Sequence, residues 1–369
     1  MKKQFSKDNT LALKGIAIIM MMFHHCFCTV DRFNKYTVSF FPLNQSLAVD
    51  ISSMFKICVS FFVFVTGYGL VLSLKKLNEK YEWTTKEISK WIINRLIKMM
   101  SGFWIIVVLA FIICQSINGL VGKIYFSKGP ILGITQMIVE FLGLSDLFGT
   151  PTICGTWWYM SIAILFVLSV PLFALLAKKI GYFATLIITI ATPRILGWDF
   201  VNSSYISFLF PLILGMTFAE KNLMVRFSNF KIGKNIIISK ILKFILETGL
   251  VILTFFVYKN LPTKIFWEIK YGIIPMIIIC YLYEFFLDIP LLKNVLQIIG
   301  KYSMNIFLIH TFFRVTYLNK FIYSFENWIK IAGVLFILGL VSAVVVELFK
   351  KIIRYDKIIE KIQKLIDKR

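Results

Sequence analysis

The apolar run LALKGIAIIMMMFHHCF carries a cation, Lys14, and an imidazole, His25, eleven residues apart. Eleven residues is close to three helical turns, so the two share one helix face, about 16 Å apart along the axis. Ionisable groups inside a membrane helix are costly and mark functional positions by default. Lysine suits the phosphates of a carrier, and an imidazole titrating near neutrality suits proton transfer. Each also has a plainer reading. Lys14 could snorkel to the inner interface, and His25 could hold a neighbouring helix through a hydrogen bond. His24 points about 100° away from His25 and is read as the structural histidine.

Four further groups could join this pair. In SMNIFLIH, Ser303 and His310 are seven residues apart and share a face. The chain has three histidines, all in apolar runs, and two spans place one at a similar outer depth; a shared polar cavity is the expectation. GTWWYM places Trp158 and Tyr159 at the outer end of a span, as an aromatic belt or as the wall of a substrate site. WIINRLIKMM places Arg95 and Lys98 at a cytoplasmic entry, as topology signals or as a phosphate clamp. In VSFFVFVTGYGL, Gly67 and Gly69 permit close helix approach.

The elements that must hold these residues are membrane helices. The 369-residue chain is 58% hydrophobic, with mean hydropathy +0.79, well above a soluble domain. Ten apolar windows lie near 11–29, 52–74, 97–117, 156–177, 180–197, 204–219, 239–258, 271–287, 295–313 and 329–349. Pro193, Arg194 and Pro211 interrupt the fifth and sixth. With the N-terminus inside, 28 of the 41 Lys and Arg fall on the cytoplasmic side and twelve outside. This asymmetry predicts an all-α, ten-span protein with both ends cytoplasmic. It also turns the net charge of +22 into a topology signal and away from nucleic acid. The N-terminal run lacks a small-residue cleavage site and reads as an uncleaved first helix.

Residues 1–349 are expected to form one membrane domain, and 350–369 a cytoplasmic amphipathic tail on the inner leaflet. ILGITQMIVEFLGL, in the longest external segment, reads as an amphipathic helix at the outer surface. The six cysteines show neither zinc spacing nor a disulfide framework. His24, His25, Cys26 and Cys28 cannot converge on one ion from a single helix, so no metal is expected.

These pieces, in this order, resemble the acyltransferase-3 superfamily of bacterial membrane O-acyltransferases. Lys14 to His25 is similar to that family's Arg or Lys, ten residues, then His. VSFFVFVTGY resembles its FF-x-x-SGY segment, with Thr66 in place of Ser. Arg95 and Lys98 resemble its basic third-helix start. SMNIFLIH is similar to S-x-x-x-Y-L-x-H, with Phe307 in place of Tyr, and Trp158, Tyr159, Met160 and Ser161 to W-F-L-S. Where the family often has an acidic residue next, this chain has Ala163.

The resemblance implies acyl transfer in the cytoplasmic membrane of a bacterium. The donor would be cytoplasmic acyl-CoA, with acetyl-CoA expected, and no permanently bound cofactor. The acceptor would be a hydroxyl of a cell-surface or lipid-linked glycan. Arg95, Lys98 and Lys14 would bind the donor's phosphates, and His25 would be the general base, a covalent acyl-histidine being the lesser variant. His310 or Ser303 would orient His25 or donate to the developing oxyanion, and Trp158 and Tyr159 would line the substrate site. Two readings compete. A transporter or flippase for a lipid-linked saccharide also has many spans and intramembrane polar residues, although the prolines show no symmetric pair. A purely structural scaffold would tolerate apolar residues at positions 25 and 310.

Overall fold

The structure, a computed structural model, describes residues 5–197 and 204–368. Lys2, Lys3 and Arg369, which enter the charge asymmetry, lie outside the described residues. The described chain is helical apart from one isolated parallel bridge, Ser39 to Asn327. In chain order the helices are α1 (Lys7–Phe27), α2 (Gln45–Met54), α3 (Cys58–Leu77), α4 (Thr85–Asn118), α5 (Leu120–Tyr125) and α6 (Pro130–Phe141). Then come α7 (Ser145–Phe148), α8 (Trp158–Ile180), α9 (Tyr182–Ile195), α10 (Ser204–Glu220), α11 (Leu223–Asn229) and α12 (Ile236–Asn260). The last six are α13 (Ile274–Phe285), α14 (Pro290–Lys301), α15 (Ser303–Thr311), α16 (Asn319–Tyr323), α17 (Trp328–Ile352) and α18 (Tyr355–Lys368).

Among the described residues, five helical stretches are long and apolar enough to cross a membrane: Lys7–Phe27, Gln45–Leu77, Thr85–Asn118, Gly155–Ile180 and Trp328–Ile352. A sixth arises if α10 and α11, bent by 69° at their junction, count as one span. The other four expected windows are helical in different ways. α9 has only 14 residues. α12 has 25 residues, but Lys240, Lys243 and Glu247 fall in its first half. α13 is 12 residues long and follows a π-helical turn, Ile269–Ile273. The window 295–313 is divided at Tyr302 between α14 and α15.

Local sequence sets the helix ends. The Ser6 side chain accepts from the Asn9 amide to start α1. Thr84 and Glu87 form a reciprocal capping box at the start of α4. α4 stops at Gly119, whose φ of 65° is left-handed and suits glycine.

The chain forms two compact units. The first contains Met1–Tyr81, Val170–Ser303 and Tyr323–Gly333; the second contains Glu82–Ser169, Met304–Ile322 and Val334–Arg369. In the first unit two helix pairs touch backbone to backbone. A Cβ on Gly15 of α1 would overlap the Leu296 carbonyl of α14, and one on Gly300 of α14 would overlap the Leu11 carbonyl. Gly67 of α3 and Gly215 of α10 meet the Leu212 and Phe64 carbonyls in the same way. The close approach expected at Gly67 is therefore present, whereas nothing crowds Gly69.

The second unit packs through large side chains instead. Phe103, Ile106, Tyr125, Trp157, Met160, Leu308 and Phe312 belong to one buried cluster. The α6 helix exposes Ile131, Ile134 and Ile138 along one face, as an amphipathic surface helix should.

Candidate active site

In the first unit, α1 carries Lys14 and His25 on one unbroken helix, both half-buried. The chain then turns through Val30–Arg32 and folds back on the helix end. Arg32 Nη1 donates to the carbonyls of His25 (2.5 Å) and His24 (3.2 Å), satisfying two carbonyls of the last turn. The same nitrogen lies 3.4 Å from His25 Nδ1. Both Nη1 protons are spent on the two carbonyls, so this contact is a close approach of the cation to the ring. His24 is held differently. Its Nδ1 lies 2.9 Å from the Ser52 carbonyl, which only accepts, so His24 carries its proton on Nδ1. The two rings meet edge to face at 5.3 Å.

His310 is in the second unit, fully buried at 0% exposure, two residues before a π-helical segment, Phe312–Tyr317. Its Nδ1 lies 2.8 Å from the Phe307 carbonyl and 3.2 Å from that of Ile306. Its proton is therefore on Nδ1, and Nε2 has the lone pair. A hydroxyl chain leads to that lone pair. Thr311 Oγ1 lies 3.3 Å from Nε2, Thr156 Oγ1 3.2 Å from Thr311 Oγ1, and Cys154 Sγ 3.3 Å from Thr156 Oγ1. With its one ring proton spent on the backbone, neutral His310 can accept or orient; it has no N–H left for an oxyanion. Ser303 starts the helix that ends beyond His310. Two turns separate them, about 10 Å along the axis, so sharing a face does not bring their side chains together.

The remaining expected residues also lie in the second unit. Arg95 and Lys98 are on the first turns of the 34-residue α4, with Arg95 half-buried over the Trp91 ring at 5.7 Å and Lys98 exposed. The tail helix α18 rests on this segment. Lys90 Nζ and Asn94 Nδ2 donate to the backbone and side chain of Asp367 (2.7 and 2.8 Å), and Tyr355 donates to the Ser101 carbonyl (2.9 Å). Trp158 and Tyr159 are half-buried at the start of α8, and Tyr159 meets Phe307 edge to face at 5.6 Å. Their neighbour Trp157 is the more buried; its Nε1 donates to the Leu308 carbonyl at 3.0 Å.

Several groups escaped the sequence reading. Arg32 has no helical phase with His25, because the turn that brings it back lies between them. Glu140, a single acid in an amphipathic pattern, is 1% exposed and accepts from Thr152 Oγ1 (2.7 Å) and the Ile153 amide (3.1 Å). Burial pushes its carboxyl up to about 7, although both hydrogen bonds pull the other way. It pins the strand of loop that leads into Thr156 and Trp157. Glu347, Glu247 and Glu284 had no assigned partner. Glu347 accepts from Asn305 Nδ2 at 2.9 Å, and Lys243 meets Glu284 at 2.6 Å and Glu247 at 3.7 Å.

A family model described as an acyltransferase domain, that of the acyltransferase-3 family, matches residues 12–348. No curated protein and no solved structure matches the chain. The matched span begins within α1, before Lys14, and ends within α17, so it includes each of the groups placed above except Tyr355 and Asp367 of the tail helix. With several apolar helices long enough to cross a bilayer and this match over most of its length, the chain is a multi-pass membrane protein that belongs to the acyltransferase-3 family.

Proposed function

We propose that the protein is an O-acyltransferase of a bacterial cytoplasmic membrane. It transfers an acyl group, acetyl as the working identity, from cytoplasmic acyl-CoA to a hydroxyl of a cell-surface or lipid-linked glycan. The chain crosses the bilayer ten times with both ends inside, as the distribution of Lys and Arg supports. Arg95, Lys98 and Lys14 hold the donor's phosphates. Trp158 and Tyr159 line the acceptor side, and His310 and Ser303 serve the reaction as a second histidine and its helix partner.

His25 is the general base. The acceptor hydroxyl oxygen forms the new ester bond at the thioester carbon, its proton passes to His25, and the carbon–sulfur bond breaks. The proton then leaves with the CoA thiolate as free thiol. The ring nitrogen that carries the lone pair is the basic atom on this reading, and the Arg32 guanidinium beside the ring is a cation close to the oxygen on which charge changes.

The observation that carries this reading is the placement of Lys14 and His25 on one unbroken helix, a phosphate-side cation and an imidazole about 16 Å apart. The test is incorporation of labelled acetyl from acetyl-CoA into envelope material by membranes holding matched amounts of wild type and His25→Ala. Loss of about 100-fold or more is expected for a positioned base. A near-normal rate in the variant rejects the assignment.

A further inference from the structure

One cavity in the first unit is used by none of the roles above. Its volume is about 670 Å3, in the range of small-molecule sites. It lies between the start of α1, the α11–α12 turn and the α13–α14 corner, and Lys231, Lys240, Lys243 and Lys293 line it. Glu284 and Asp288 are the acids in its wall. Lys243 is 4% exposed and already matched: its ammonium meets Glu284 Oε2 at 2.6 Å and the Phe227 carbonyl at 2.9 Å. That leaves three lysines against Asp288. None of the three enters an ion pair among the described residues.

Directed hydrogen-bonding groups reinforce the charge. Ser239 is buried and accepts from the Ile232 amide at 2.9 Å, so its own hydroxyl proton is available to a guest. Asn9 is 4% exposed, lines the cavity, and its Oδ1 finds no hydrogen-bond partner among the described residues. A buried carboxamide left in this way calls for a ligand. Ile236, Ser239, Lys240 and Lys243 repeat at three and four residues, so the face of α12 at the cavity is that of its first two turns. The positive end of a 25-residue helix therefore adds to the lysines. Phe230, Tyr283 and Phe285 supply apolar wall.

We propose that this cavity is a binding site for a phosphate-bearing anion. Lys231, Lys240 and Lys293 supply the attraction, and Ser239 and Asn9 fix the orientation. Two sources offer that chemistry. One is the headgroup of an anionic membrane lipid, whose chains would run beside the exposed apolar face of α12 at Ile237, Ile241 and Ile245. The other is a soluble phosphate compound. The proposal does not depend on the acyl-transfer reading.

The test uses full-length protein and the triple variant Lys231→Gln, Lys240→Gln, Lys293→Gln, with Lys240→Gln alone as the second variant should the triple variant fail to fold. Thermal unfolding is followed in nanodiscs of phosphatidylglycerol and of phosphatidylcholine for the lipid source. Calorimetric titration with ADP covers the soluble source. The expected result is a higher midpoint in phosphatidylglycerol or measurable ADP binding, weakening with salt, and about tenfold or more weaker in the triple variant. The arm that responds names the source. Absence of response in both arms, or equal responses from wild type and variant, overturns the proposal.

Discussion

His25 and His310 are both imidazoles near the end of an apolar helix, yet their surroundings differ in kind. His25 is half-buried, with a guanidinium nitrogen 3.4 Å from its Nδ1. His310 is fully buried, with two backbone carbonyls against one nitrogen and a threonine hydroxyl against the other. The same side chain thus meets a cation in one place and, in the other, backbone carbonyls that fix its tautomer. On the proposed reading the first is the general base, and the second serves the reaction from a more buried position. In the sequence each is a histidine in an apolar run, and what set His25 apart as the expected base was the family resemblance.

The largest effect that would sharpen this contrast, after loss of His25 itself, is at Arg32. Arg32→Ala should lower acetyl transfer about 10- to 100-fold, as removal of a positioned charged donor does, and Arg32→Lys should recover part of it. Wild-type rates in Arg32→Ala would place His25 and His310 on the same footing. Next comes Thr311→Val, which cuts the hydroxyl chain at His310 Nε2. It should cost about 1–3 kcal/mol in unfolding of the purified protein and less than tenfold in rate. A loss of activity matching that of His25→Ala would make the chain part of the chemistry.

The smallest effect concerns Glu140, which braces the loop leading into Thr156. Its carboxyl is held at about 7 when folded, against 4.5 when free. Between those values the unfolded chain gives up a proton that the folded one keeps, so stability falls as pH rises from about 4.5 to about 7. Glu140→Gln keeps an oxygen to accept from Thr152 and Ile153, and should flatten that slope in thermal unfolding followed across the window. An unchanged slope would move the pH dependence elsewhere.

What could be read directly from the sequence was whatever depends on helical phase. Lys14 and His25 fall on one helix because nothing between them breaks the apolar run, and Gly67 lies at a close crossing because a missing side chain is visible as a letter. The division at Tyr302 was not legible: the apolar window 295–313 runs through it, and the break is a change of backbone conformation at one residue. Arg32 and Glu140 were not legible either, since each gains its meaning from a turn that returns the chain to a distant atom. The alternation of the tail shows it to be amphipathic, but its hold on Asn94 and Ser101 depends on Asp367 and Tyr355 meeting a helix 273 and 254 residues earlier.

The glycine seam between α1 and α14 has a mechanical meaning. With carbonyl against Cα at both Gly15 and Gly300, there is no rotamer to change and no methyl to trim at the crossing. Any displacement at the Lys14 end of α1 must carry its companion with it, and the His25 end follows as the far arm of a lever pinned at that point.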